Sequence, residues 1–160
     1  MMKWQALQDP SLLVDPIRGL RSKIGRQLTL QPQNPSRVHP GEELVYAGLV
    51  ILNSGSEPVG RETVRITVPE TVSLHTPVAS RWLWDDLAGG GCQGVLSDDR
   101  LTWIGEVNLN VSPGGLKLFS TGISVADDAA PGLVEIIVEV GAPAFAEGLA
   151  FVEIAAGSGA

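Results

Sequence analysis

The sequence predicts an all-β sandwich, and three observations carry that prediction. The first is the run PGEELVYAGLVILNSGSEPV, residues 40 to 59. In it a Pro40-Gly41 turn opens an apolar stretch that closes on Asn53-Ser54-Gly55-Ser56. Aliphatic and β-branched residues bounded by turn formers read as a strand entering a hairpin. The second is spacing: further apolar segments recur about every ten residues, separated by Pro-Gly and Asp-Asp turns. The third is that no segment carries a convincing helical period.

Each element follows from its residues. Residues 1–26 are interrupted by Asp9-Pro10 and Asp15-Pro16, and either proline can start a short helical turn. Trp4, Leu12, Leu13, Val14, Ile17 and Leu20 make this arm too apolar for a free tail. Gln27 to Gln31 alternates and reads as an edge strand, and QPQNPSRVHPG reads as a loop with three prolines. In the central strand Val45, Ala47, Leu49 and Ile51 alternate with Leu44, Tyr46, Val50 and Leu52. Both faces are apolar, so it belongs inside a packed sandwich or in a sheet covered on both sides.

Glu62 to Val68 turns Val64, Ile66 and Val68 one way and Thr63, Arg65 and Thr67 the other, a half-solvated strand. Val72 to Leu74 resumes after Pro69-Glu70, and Val78 to Trp84 carries Trp82 and Trp84 on one face. Residues 85–100 read as the longest irregular piece, followed by a short strand from Leu101 to Ile104. Leu116 to Val125 and Leu133 to Val140 are strands, Leu149 to Ala155 an additional one, and GSGA a flexible end. The expected core anchors are Leu44, Tyr46, Val50, Val64, Ile66, Trp103, Phe119, Ile136 and Val138.

Composition narrows the function classes. The 160 residues are 44% hydrophobic and 18% charged, as in a globular domain. No apolar run approaches the ~20 residues that cross a bilayer, which excludes a membrane helix. The amino terminus shows no signal-peptide pattern, so the expected setting is intracellular or a virion, unless the chain is a fragment of an exported protein. The compartment itself is not fixed by the sequence. Cys92 is the single cysteine and has no internal disulfide partner.

Charge is uneven. Residues 1–37 hold Lys3, Arg18, Arg21, Lys23, Arg26 and Arg37 against Asp9 and Asp15, a net of +4. Residues 38–160 hold five basic and sixteen acidic residues, a net of −11. An acidic body repels phosphates and argues against nucleic acid. A basic arm beside it suggests docking on such a body, its own or a neighbour's, against the alternative of solubilising charge.

Signatures of chemistry are sparse. GGGCQG, residues 89 to 94, formally matches GxGxxG but lacks the flanking strand and helix, so it reads as a loop. His39 and His75 sit in turn-like contexts far from one another, and a pairing of either with Cys92 needs a coincidence of the fold. Asp85, Asp86, Asp98 and Asp99 flank one loop and are the calcium candidates, weighed against solvated turn residues that bond their own backbone. Trp82, Trp84 and Trp103 are either a sugar-stacking platform or core packing.

The run PGEELVYAGLVILNSGSEPV, with VRITVPETVSL and LTWIGEVNLNVSPGGLKLFSTGISV after it, resembles the immunoglobulin-like "conserved repeat" modules of bacterial and archaeal surface proteins. ADDAAPGLVEIIVEV is similar to the closing hairpin of immunoglobulin-like modules appended to glycosidases. The resemblance spans residues 38 to about 140 and implies spacers, adhesive units or assembly parts. The expectation is thus an all-β immunoglobulin-like sandwich of about seven to nine strands over residues 27–155. A docking arm (1–26) precedes it, an extra C-terminal strand completes it, and a tail (156–160) follows.

The expected function is a non-catalytic structural module without cofactor. It docks through its arm and sheet edges, as a capsid decoration or tail component of a virion. Its expected partner is protein, a homo-oligomer or a larger lattice. Trp4, Leu12, Leu13, Ile17, Arg18, Arg21, Lys23 and Arg26 are the partner-binding candidates. The alternative is an adhesive or carbohydrate-binding module at the cell surface.

Overall fold

A computed structural model describes residues 27–75, 78–79 and 92–156. The arm, Trp82, Trp84, Asp85, Asp86 and the GSGA end lie outside the described residues. Among those described there are eleven strands: β1 (Leu28–Pro32), β2 (Ser36–Val38), β3 (Val45–Asn53), β4 (Val59–Thr67), β5 (Val72–Leu74), β6 (Val78–Ala79), β7 (Cys92–Leu96), β8 (Thr102–Val111), β9 (Leu116–Val125), β10 (Gly132–Gly141) and β11 (Ala144–Ile154). They form two sheets. One is ordered β1-β3-β9-β5, with β6 also paired to β9, and the other β2-β11-β10-β4-β8-β7. The all-β sandwich expected from the sequence is the fold found.

The core lies between the sheets and is built by period-two alternation. From β3 it takes Ala47, Leu49 and Ile51, from β9 Phe119 and Ile123, and from β4 Val64 and Ile66. Trp103, Val107 and Leu109 come from β8, and Ile136, Val138 and Val140 from β10. Three expected anchors are not in it. Leu44 and Tyr46 are 50% and 45% exposed, and Val50 is half-buried on the outer face. Since both faces of this strand are apolar, hydrophobicity could not fix its parity. Asn53 does so in the fold, because it shares the inward parity of Leu49 and Ile51 and is itself buried.

Asn53 ties two turns together. Its side-chain amide donates to the Val111 carbonyl at 2.9 Å and the Glu57 carbonyl at 2.8 Å, and its Oδ1 accepts from the Gly55 N–H at 3.0 Å. Its backbone N–H and C=O pair with Gly115 and Gly114. Every strong site of this buried amide is therefore used. At the other end of β3, Pro40 and Gly41 make the expected turn. Glu42 N–H bonds the His39 carbonyl at 3.2 Å, and Gly41 takes the positive φ of 84° that a type II turn requires.

The second sheet departs from the reading in extent. Ser36–Val38, inside the proline-rich loop, is a strand because it runs parallel to β11, with Val38 beside Ile154. Cys92–Leu96, inside the piece read as irregular, is the edge strand against β8. β8 itself continues seven residues past Ile104, with Val107, Leu109 and Val111 buried at period two. The C-terminal strand begins at Ala144 and lies between β2 and β10, burying Ala150, Val152 and Ile154.

Candidate docking surface

Pairing in the six-stranded sheet assembles an outer face from residues distant in sequence. Glu139, Arg65, Ile104 and Val95 stand in one cross-strand row over β10, β4, β8 and β7. Ile137, Thr67 and Thr102 form the row beside it, continued by Leu149 on β11. Val95 is 74% exposed and Ile104 46% exposed, and the two are directly paired. A paired, exposed valine and isoleucine at the β7–β8 edge of the sheet bury little within the chain and offer apolar area to something else.

The surroundings of this apolar pair are mostly acidic. Glu106 flanks it on β8, and Glu135, Glu139 and Glu147 lie across β10 and β11, with Glu139 directly opposite Glu147. Like charges in register are unfavourable in an isolated sheet. Arg65 sits in the middle of the row, and Arg61 reaches Glu106 at 3.5 Å in an exposed pair of small energetic weight. An apolar centre with an acidic surround fits a protein surface presenting aliphatic side chains flanked by Lys or Arg.

Of the calcium candidates, Asp98 and Asp99 are described and occupy one turn. The Asp99 carboxylate accepts from Ser97 Oγ at 2.6 Å and from the Leu101 N–H at 3.0 Å. These two bonds, the Ser97 hydroxyl first, hold its carboxyl below the ordinary aspartate range. Asp99 thus serves as a turn residue bonding its own loop. Among the described residues no group of three or more metal-ligating side chains converges.

His75 follows β5 in the five-stranded sheet, whereas Cys92 starts β7 in the other. The partner of His75 is Ser124, with Nε2 and Oγ 2.7 Å apart, a contact sequence spacing did not announce. The Ser124 oxygen also accepts from the Leu44 N–H at 3.4 Å, which ties it to the β2–β3 connection. This arrangement anchors a loop to a strand. Trp103 is core, 1% exposed, and so is not part of a sugar platform.

No family model matches the chain, and no curated protein matches it. Solved structures do. The chain is similar to CaCohA2 from Clostridium acetobutylicum at 14% identity and a TM-score of 0.60, covering 84% of this chain and 94% of that one. A cohesin in a type I cohesin–dockerin complex from Clostridium thermocellum matches at 12% identity and 0.56, covering 80% and 99%. A non-cellulosomal cohesin from the archaeon Archaeoglobus fulgidus matches at 12% and 0.51, covering 82% and 93%. The chain therefore has the fold of the cohesin sandwich. The resemblance to immunoglobulin-like modules of bacteria and archaea holds at the level of fold.

Proposed function

We propose that this chain is a non-catalytic docking module that joins a protein partner to a larger assembly through the outer face of its six-stranded sheet. The observation that carries the reading is the exposed Val95–Ile104 pair set among acidic residues around Arg65. Cohesins of the same fold, such as the one from Clostridium thermocellum, are seen in complex with dockerins, which supports protein docking as the use of this sandwich. The partner expected here carries an aliphatic patch with basic neighbours. Such a module serves a virion accessory protein or an adhesive surface protein by the same physics, and the partner decides between them.

A photo-crosslinking residue in place of Ile104, in the chain expressed in its own host, tests the reading. One discrete protein adduct is expected, abolished when Val95→Asp is added. Adducts with no single species, or one indifferent to Val95→Asp, would overturn it. The adduct's identity as a virion or a cell-surface protein separates the two settings.

A further inference from the structure

The five-stranded sheet has an outer face that a solvated sheet would not keep. Along β3 and β9 the outward cross-strand pairs are Tyr46 with Gly122, Gly48 with Ser120, Val50 with Leu118 and Leu52 with Leu116. Tyr46 and Leu116 are 45% and 43% exposed, with Val50, Leu52 and Leu118 half-buried between them. Antiparallel sheets facing water on one side alternate apolar-in with polar-out. Here two adjacent outward pairs, Val50–Leu118 and Leu52–Leu116, are wholly aliphatic, and Tyr46 stands further along the same face beyond the Gly48–Ser120 pair.

We propose that residues 1–26 of the same chain fold back onto this stripe. The entry point of the chain is the first argument. Leu28 pairs with Asn53, and the Gln27 carbonyl accepts from the Ser54 N–H at 2.9 Å. Gln27, the first described residue, therefore lies at the corner beside Leu52 and Leu116, one end of the stripe. Length is the second. From Leu52 to Tyr46 the stripe is roughly 20 Å long at ~3.3 Å per residue. Twenty-six residues reach past that even if helical, at about 39 Å.

Chemistry is the third argument. The arm brings Trp4, Leu12, Leu13 and Ile17 to cover the aliphatic rows, and five basic residues against Asp9 and Asp15. The stripe ends near acids: Glu57, whose carbonyl bonds Asn53, at the entry corner, and Glu42 and Asp127 around Gly41 at the far one. Burying the stripe removes apolar area from water, which favours the covered state. The arm in this account is an intramolecular cover. The inference is independent of what binds the opposite sheet.

A nitroxide on Ser11→Cys in a Cys92→Ser background tests it by amide NMR of the isotope-labelled chain. The result expected is selective intensity loss at Val50, Leu52, Leu116 and Leu118, with Val95 and Ile104 unaffected. Adding Val50→Asp, an outward substitution, should restore the lost signals. Loss on the other sheet, or on neither, overturns the proposal. Loss that appears when a spin-labelled unenriched chain is mixed with an unlabelled enriched chain overturns it too, since the occupant is then a second copy.

Discussion

The indole of Trp103 lies over Gly94, across the β7–β8 pair. A Cβ at Gly94 would stand 2.6 Å from Cζ2 of that ring, and one at Gly105, the residue paired with Gly94, 2.6 Å from Cη2. Trp103 is 1% exposed, so the ring has nowhere to retreat. The last glycine of GGGCQG is thus a packing requirement of the core. It also fixes how closely β7 approaches β8, and hence where Val95 stands beside Ile104.

Gly94→Ala should therefore destabilise, although alanine replaces glycine in an ordinary strand at a gain. The added methyl meets the Ile104 carbonyl at 2.5 Å as well as the ring. Overpacking of this kind costs about 1–3 kcal/mol, read as a lowered urea midpoint with unchanged slope.

Asn53→Ala removes one buried side chain that serves three backbone groups. The Val111 and Glu57 carbonyls and the Gly55 N–H lose their partner together. The expected loss is roughly 1–3 kcal/mol, measured by chemical denaturation. Asn53→Asp at neutral pH should do no better, because a carboxylate offers acceptors where two donors are needed.

Thr121 is buried on the inner face, and among the described residues its hydroxyl oxygen has no hydrogen-bond partner. Thr121→Val keeps the shape and removes the unpaired polar atom. A gain of about 1 kcal/mol in unfolding free energy is expected.

The Asp99 turn gives a pH dependence with a definite sign. Its carboxyl is lowered from 3.8 in the folded chain, so the unfolded state binds the proton more readily. The turn's contribution is fully present above the unfolded value and is lost as pH falls through the folded one. Carboxyl NMR titration should place Asp99 below 3.8, and Ser97→Ala should move it back up.

How far the sequence carried these conclusions depends on where each element draws its stability. The Pro40-Gly41 turn and the extent of β3 are local, and both were legible. The parity of β3 was not, because Leu49 and Val50 are equally apolar and only the buried amide of Asn53 chooses between them. β2 was hidden among Pro32, Pro35 and Pro40 because its reason to be extended is a parallel partner more than a hundred residues away. Gly94 and Gly105 weakened the local strand signal of β7 and β8. The candidate surface was illegible for the same reason: Val95 and Ile104 become neighbours only when those two strands pair.

Once the partner joined at Ile104 is in hand, the decisive measurement is its affinity for the unaltered chain and for Ile104→Asp. The account predicts at least a tenfold weaker Kd, about 1.4 kcal/mol, for a charge placed at the apolar centre of the contact. An unchanged Kd, with the fold intact, would contradict docking through this face.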